Sequence, residues 1–432
     1  MRRRWPDILG WTDDVSYRGI ALICGVVALL ARAAYWAFAT PDRELVSDAS
    51  QYHNLATNLA HGRGYVDTFP QLDLHNTAYR PPAYPFVLSL AYRIFGSEVW
   101  VGRALNVVLG VAAVVVLTML LGRQLDNRAA FLGGLAAALL PNLIANDTYI
   151  LTEPMSLLLL TVLLWQILED RWLAAGVMCG LLVLTRPSAQ YCAVVIAVWL
   201  LMRIGWRRAL GFLTVIAIVV APWVARNWSV MGSPVLVTSN GFNFAAMYSP
   251  KAIEVGAFVD PVYDSSFDGS RLDQFDEVLW DHNLRTVGMK GMMSGPLVVP
   301  KVMGRNLIAY FELRPSFNTF AEAADGRNET VKYATLPFFY VVVAAGVAGL
   351  WRQRQQPIVV GAIIFGTYFT VASLVFVAPP RLRSPLDLML CIGVGALVVR
   401  APRRQRAPST NVVPAAHVAA QAPLVPSVTP GE

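Results

Sequence analysis

The stretch LTEPMSLLLLTVLLW, residues 151–165, decides how the rest of the chain is read. It lies in the apolar run 149–168, whose length of about 20 residues is typical of a membrane helix. Glu153 nevertheless stands near its start, with Pro154 directly behind it. An ionisable side chain inside a membrane segment costs free energy and is usually retained for function, so Glu153 is the first candidate for a site.

Apolar runs of this kind recur along the whole chain. The 432 residues are 56% hydrophobic and only 15% charged, whereas about a quarter of the residues of a soluble protein are charged. We therefore predict an all-α polytopic membrane protein with about ten transmembrane helices. The fifth and sixth runs are short and are divided by Arg186 and Pro187, so a re-entrant pair is the alternative there. The ten runs cover residues 20–39, 99–121, 129–145, 149–168, 172–185, 188–202, 209–225, 335–350, 357–377 and 384–400.

The distribution of arginine predicts the orientation. The N-terminal MRRRW, the connections GRQLDNR, EDRW, RIGWRR and WRQRQQ, and the segment RAPRRQR all contain arginine and fall on one side of the predicted helices. The positive-inside rule places that side, with both chain ends, in the cytoplasm. Residues 1–400 are then one transmembrane domain with outer loops at 41–98 and 227–334. The first run is read as an uncleaved signal anchor, and residues 401–432, rich in Pro, Ala and Val, as a disordered cytoplasmic tail.

Cysteine and histidine give no sign of a metal or a disulfide. The histidines are scattered, and the cysteines all fall in apolar runs without the spacing of metal ligands. We therefore predict no metal and no cofactor. The net charge of +7 is not read as a nucleic-acid signal, because no basic stretch is interleaved with aromatic residues. The four cysteines are Cys24, Cys179, Cys192 and Cys391.

Five arginines break the orientation rule, because they fall at the predicted outer edge of the membrane. Guanidinium binds phosphate through a two-pronged fork and stays charged at any relevant pH. An anionic group held at the outer surface would account for all five, although interfacial arginines also extend to lipid headgroups without further function. These arginines are Arg80, Arg186, Arg226, Arg381 and Arg383.

Three carboxylates are the natural counterparts of these cations. The segment SDASQYHNLA, residues 47–56, has the spacing of a short amphipathic helix on the outer membrane surface, with Asp48 and Tyr52 on one face. Asp48 is read either as a helix cap or as a general base just above the membrane. Glu153 is read as the partner of a buried arginine or as part of a polar site. Asp147 is read as a loop or cap residue.

The order of these motifs resembles the bacterial family 39-type membrane glycosyltransferases of the GT-C superfamily, which are related to protein O-mannosyltransferases and the aminoarabinose transferase of lipid A. Each motif alone is weak, and the ordered set is more specific. It spans nearly the whole chain without specifying a sugar. The motifs are SDASQYHNLA with Asp48, YRPPAYPFVLSLAYRIFG with Arg80 and Tyr84, LTEP with Glu153, LTRPS with Arg186, APWVARNWSVMGSPV, and PPRLRSPLDLML with Arg381 and Arg383.

The resemblance implies an inverting transferase in the bacterial cytoplasmic membrane, with its active site facing outside. It would move a sugar from a polyprenyl-phosphate donor to a hydroxyl of a glycan, lipid or protein acceptor. Asp48 matches the catalytic base of the family. The acidic residue that often follows that aspartate is Ala49 here, which weakens the expectation of a metal or of a second carboxylate role. Donor phosphate and sugar binding are expected of Arg80, Tyr84, Glu153, Arg186, Arg381 and Arg383.

Two other classes of protein fit the same charges. A transporter or flippase for lipid-linked sugars would also need arginines for phosphate, but it should have repeat symmetry or broken helices near mid-membrane. A non-catalytic assembly protein would recognise glycan with its outer loops. An assay with a labelled lipid-linked sugar distinguishes the three classes. A transferase moves the sugar covalently to an acceptor, a flippase moves the lipid across the bilayer, and an assembly protein does neither.

Overall fold

The computed structural model describes residues 9–40, 44–70, 72–262, 275–314, 316 and 319–399, and it is built almost entirely of helices. The predicted tail at 401–432 lies outside the described residues. A two-stranded antiparallel sheet in the first outer segment pairs β1 (Val66–Asp67) with β2 (His75–Asn76). The α-helices are α1 Tyr17–Phe38, α2 Ser47–Ala60, α3 Ala83–Phe95, α4 Val99–Gln124, α5 Asn127–Leu139, α6 Pro141–Asp147, α7 Glu153–Leu168, α8 Trp172–Val183, α9 Ala189–Ile204, α10 Trp206–Met231, α11 Asn240–Tyr248, α12 Pro250–Val255, α13 Glu277–Met292, α14 Val298–Tyr310, α15 Thr319–Ala324, α16 Glu329–Arg352, α17 Pro357–Val375 and α18 Ser384–Leu397.

The helices confirm an all-α polytopic membrane fold. Each of the ten predicted runs contains a helix. In the described ranges, α1, α4, α10, α16 and α17 are long and apolar enough to cross a membrane, and α5 with α6 forms a sixth candidate bent by 58°. Helices α3, α7, α8 and α9 are apolar but shorter. The ten-span topology with both ends in the cytoplasm stays a prediction.

The apolar core lies where the membrane helices meet. It joins side chains of α1, α4, α5, α7, α8, α9, α17 and α18, and Leu117, Leu160 and Phe365 are among its fully buried members. All four cysteines are buried and unpaired. The faces that point away from this core are apolar and exposed, as helices in contact with lipid require.

Helices α16 and α18 approach each other closely enough that only glycine fits between them. A Cβ on Gly349 would lie 1.8 Å from the backbone oxygen of Gly393, and one on Gly393 would lie 2.2 Å from that of Gly346. Small residues at such crossings allow the close backbone packing on which helix association in membranes depends. This contact lies in the C-terminal half of α18 and packs that helix against α16.

We expect Gly349→Ala to destabilise the protein by about 1–3 kcal/mol, the usual effect of overpacking a close contact. A backbone oxygen cannot rotate away as a flexible side chain can. Gly304→Ala is the control, because a Cβ there meets no atom within 4 Å. The midpoint of thermal unfolding in detergent should fall for the first variant only. Equal midpoints would contradict this reading of the helix contact.

A buried ion pair joins α1 to the end of α6. Nε of Arg32 donates to Oδ2 of Asp147 at 2.7 Å, and both side chains are almost fully buried. The pair fits only because residue 110 is glycine, since a Cβ there would lie 2.0 Å from the same oxygen. The reading of Asp147 as a loop or cap residue is therefore wrong. Its partner is a cation of the first apolar run that sequence patterns did not single out.

The two outer segments are bonded to each other. Glu277, on α13, accepts through Oε1 from the backbone N–H of Ala78 at 2.8 Å and from the hydroxyl of Thr238. The backbone N–H of Thr238 donates in turn to the carbonyl of Ala78 at 3.2 Å. Tyr79 then enters an aromatic cluster with Trp280 and its neighbours. These contacts fix the chain directly before Arg80.

Candidate active site

Asp48 lies between two arginines. It occupies the first turn of α2, whose N-cap residue is Val46, so the cap reading does not hold. One carboxylate oxygen pairs with Nη2 of Arg80 and the other with Nη2 of Arg381. The three side chains are each about one-sixth exposed, at 15–17%. Residues predicted from three distant motifs thus meet at one carboxylate.

Arg80 is held in place by its surroundings as well as by Asp48. Its Nε donates to Oε1 of Gln51 at 2.6 Å, and Gln51 lies on the same helix as Asp48. The guanidinium lies 5.4 Å from the ring centroid of Tyr52 and 5.0 Å from that of Tyr79, within the range of cation–π attraction. The predicted shared face of Asp48 and Tyr52 is therefore the face that receives Arg80.

Arg381 bridges two carboxylates. It lies in a 3-10 turn, Pro380–Arg383, directly before α18. While Nη2 pairs with Asp48, Nη1 pairs with Oδ1 of Asp325 at 2.9 Å. Its Nε is buried and has no hydrogen-bond partner among the described residues. The sequence analysis missed Asp325, because it lies in the polar segment AEAADGRNET, where a carboxylate carries no local signal.

The pKa values of Asp48 and Asp325 are shifted in opposite directions. Burial acts to raise the pKa of Asp48, but the charges and hydrogen bonds of Arg381 and Arg80 outweigh it, and its pKa lies well below the ordinary value. Burial raises the pKa of Asp325 to about 7, even though Arg381 opposes this. Such a separation of neighbouring acids is typical of sites that move protons.

Glu153 belongs to the same group of charges. It begins α7, is only 3% exposed, and forms no hydrogen bond or ion pair with any residue in the described ranges. Its charge acts on both Arg381 and Asp325. The sequence analysis left open whether Glu153 serves a structural ion pair or a polar site, and this placement favours the site.

Arg186 lies apart from these ion pairs, in the turn between α8 and α9. It is 8% exposed, and its Nη1 has no partner in the part of the chain that the structure describes. Two residues further on, the hydroxyl of Ser188 is also buried without a partner. A desolvated guanidinium with a vacant donor has the chemistry of an anion contact.

Three of the predicted residues serve the fold. Arg383 pairs with Glu312 and Asp387, each at 2.9 Å, and is 1% exposed. Tyr84 is fully buried, donates to Oδ1 of Asn106 at 3.0 Å and contacts Tyr52 edge to face. The structure therefore places neither beside Asp48. Arg226 donates to the backbone oxygens of Tyr65 and Thr77, at 3.0 and 2.8 Å, and so ties together the sheet of the first outer segment.

Within the described ranges, no group of three or more His, Cys, Asp or Glu side chains could hold a metal ion. Asp48 and Asp325 are held by guanidinium groups. Positive charge is thus supplied to the site by arginine.

Comparison with known proteins confirms the resemblance. Residues 79–226 match the family model of dolichyl-phosphate-mannose-protein mannosyltransferases. The oligosaccharyltransferase of Archaeoglobus fulgidus in its apo form aligns over 88% of this chain and 50% of its own, with a TM-score of 0.51 and 15% identity. In complex with an inhibitory peptide and a dolichol-phosphate it aligns over 90% and 50%, again with a TM-score of 0.51 and 15% identity.

The likeness to the oligosaccharyltransferase establishes a shared fold, and this chain spans about half the length of that protein. The structure of ArnT from Cupriavidus metallidurans bound to undecaprenyl phosphate also aligns, over 91% of this chain and 78% of its own, with a TM-score of 0.41 and 14% identity. No curated protein matches the chain.

Proposed function

We propose that this protein is an inverting glycosyltransferase that moves a sugar from a polyprenyl-phosphate donor to an acceptor hydroxyl at the outer face of the bacterial cytoplasmic membrane. The supporting observation is the pair of guanidinium groups, Arg80 and Arg381, that meet at Asp48. The family model that matches the chain is named for a lipid-phosphate sugar donor. The oligosaccharyltransferase of the same fold has been solved with a dolichol-phosphate.

The proposed reaction is a single displacement. The acceptor oxygen attacks the anomeric carbon, its proton passes to Asp48, and the bond from the anomeric carbon to the phosphate oxygen breaks with both electrons going to the phosphate. Arg80 and Arg381 would stabilise the negative charge that develops on this leaving group. The lipid tail remains in the bilayer while the phosphate reaches the polar site, which is why a lipid-linked donor suits an outward-facing enzyme.

The resting arrangement holds Asp48 in a form that is a poor base. Both of its oxygens accept from guanidinium groups, and its lowered pKa means that it binds a proton weakly. A phosphate that took over Arg80 and Arg381 would remove the cause of that lowering. The pKa of Asp48 would then rise toward its ordinary value, and the carboxylate would become a better proton acceptor when the donor is bound.

The remaining polar residues take supporting roles in this scheme. To Glu153, which is buried and has no partner among the described residues, we assign binding of sugar hydroxyls or orientation of Arg381. Arg186 is proposed to contact the donor phosphate. For Tyr84 and Arg383, the contacts favour support of the site over direct donor binding.

The function is tested by comparing the envelope glycans of the source bacterium with and without this gene. We expect one sugar to be missing from a lipid, glycan or protein in the deletion strain, and to return with the wild-type gene but not with Asp48→Asn. Unchanged envelope glycans in the deletion strain would contradict the assignment as a glycosyltransferase. A flippase would give two different results. The lipid-linked sugar would accumulate on the inner leaflet of the deletion strain, and the purified protein would move it across vesicle membranes without forming a glycosidic bond.

Removal of the vacant guanidinium is expected to weaken donor binding. Arg186→Ala should raise the Kd for undecaprenyl phosphate by about tenfold, because a hydrogen bond to a charged group is lost. Arg203→Ala is the matched control, since Arg203 lies exposed at the other end of α9. Both are measured by titration of the purified protein in nanodiscs. Equal affinity in the two variants would refute the phosphate role of Arg186.

A further inference from the structure

Asp325 lies in the candidate site but has no role in the proposed reaction. Nη1 of Arg381 pairs with it at 2.9 Å, while Nη2 of the same guanidinium pairs with Asp48. One arginine thus joins two carboxylates that come from different outer segments. We propose that Asp325 is a positioning residue, which holds one end of Arg381 while the other end passes from Asp48 to the phosphate of the donor. This role depends on the proposed sugar transfer.

The turn that carries Asp325 is fixed from two sides. Gly326 has a φ of +73°, and a Cβ there would come within 2.4 Å of the ring of Tyr149. Arg327 donates to the side-chain oxygen of Asn142 at 2.6 Å. Asp325 is therefore presented by a turn docked on the membrane helices. A group that orients another side chain needs such support, because a loose anchor would not define a direction.

Charged groups from four parts of the fold face Asp325. They are Arg381 from the 3-10 turn, Asp48 from α2, Glu153 from α7 and Arg327 from its own turn. Burial raises the pKa of Asp325 to about 7; Arg381 opposes this, and the charges of Asp48 and Glu153 add to it. Asp325 consequently changes charge near neutral pH, whereas Asp48, with its lowered pKa, stays ionised there.

The strength of the anchor therefore depends on pH. Above about pH 7 the ionised Asp325 holds Nη1 of Arg381 by a charge-assisted bond. Below that pH the carboxyl is neutral, and the guanidinium loses one of its two anionic partners. A donor in which phosphate links lipid and sugar is a phosphodiester, and its single charge does not change in this range. The ionised carboxylate also repels the phosphate and competes with it for the guanidinium, so capture of such a donor should weaken as the pH rises through 7.

The test uses binding of a diester probe, the methyl ester of undecaprenyl phosphate, to the full-length protein in nanodiscs. We expect the affinity of wild type to fall by up to about tenfold between pH 6 and pH 8, because a neighbouring carboxylate becomes charged over this range. Asp325→Asn should remove this pH dependence while it preserves side-chain shape. Asp325→Ala should bind the probe about tenfold more weakly than Asp325→Asn, because both are neutral but only the amide oxygen can still hold Nη1 of Arg381.

The control is Glu329→Gln, an exposed acid at the start of α16, which should follow wild type at every pH. If Asp325 were only structural, its substitution would lower the unfolding temperature without altering the pH dependence of probe binding. Equal affinity in Asp325→Ala and Asp325→Asn, or an unchanged pH profile in Asp325→Asn, would overturn the positioning role. The readout requires no turnover, so pH-dependent binding without any sugar transfer would reject the proposed function and not this role.

Discussion

Asp48→Asn is expected to lower transfer by about 10²- to 10⁴-fold, the usual contribution of a general base, and at the same time to tighten the binding of undecaprenyl phosphate. The amide is nearly the size of the carboxylate but cannot take the proton of the acceptor. As a neutral group it also competes less well with phosphate for Arg80 and Arg381, which pair with the two carboxylate oxygens in the resting site. Loss of turnover with gain of affinity is the distinguishing result.

Turnover is followed as restoration of the missing sugar in the deletion strain, and affinity by titration with undecaprenyl phosphate in nanodiscs. Asp73→Asn is the control, because Asp73 is exposed in the same outer segment and should behave as wild type in both assays. A folded Asp48→Asn protein with near wild-type turnover would show that the base assignment is wrong. Weaker phosphate binding would contradict the exchange of arginines between Asp48 and the donor.

The membrane helices could be predicted because their signal is local. A long apolar run stays helical in a membrane whatever its neighbours are, and each of the ten runs contains a helix. The shorter helices, such as α7 with 16 residues, show where that signal weakens. Length alone does not say whether such a helix crosses the membrane, bends within it or packs against others. The break between α5 and α6 at Pro141 was likewise inside one predicted run.

The site was predictable only in part, because ion pairing depends on three-dimensional neighbours. Asp48, Arg80 and Arg381 stood out as charges at unusual places, and the structure brings them together. Asp325 did not, since an acid in a polar loop is ordinary until its burial is known. The pair of Arg32 and Asp147 was missed for a related reason. The two residues are 115 positions apart, and no local sequence pattern indicates that they contact each other.

Arg381 and Arg383 are the clearest case of what sequence cannot separate. Both stand in the segment PPRLR, and both were expected to bind the donor. The 3-10 turn directs them to different partners. Arg381 reaches Asp48 and Asp325, while Arg383 is enclosed by Glu312, Asp387 and the backbone oxygen of Tyr310.

Substitution of Arg381 should therefore impair sugar transfer, whereas substitution of Arg383 should impair stability. Arg381→Lys keeps the charge, but a single ammonium group cannot hold two carboxylates with the fork geometry of guanidinium. We expect transfer to fall by at least about tenfold, the effect of one lost charge-assisted hydrogen bond, with little change in thermal stability. Arg383→Ala should instead destabilise the protein by about 3–5 kcal/mol, because it leaves buried carboxylates without their cation.

The comparison is made on membranes that contain equal amounts of folded protein, as judged by size-exclusion profiles in detergent. Per folded molecule, Arg383→Ala should retain most of its transfer activity, whereas Arg381→Lys should not. Thermal unfolding should rank the two variants in the opposite order. If Arg383→Ala folded normally and lost donor binding, Arg383 would belong to the phosphate site after all. Its buried contacts with Glu312 and Asp387 would then have to open when the donor enters.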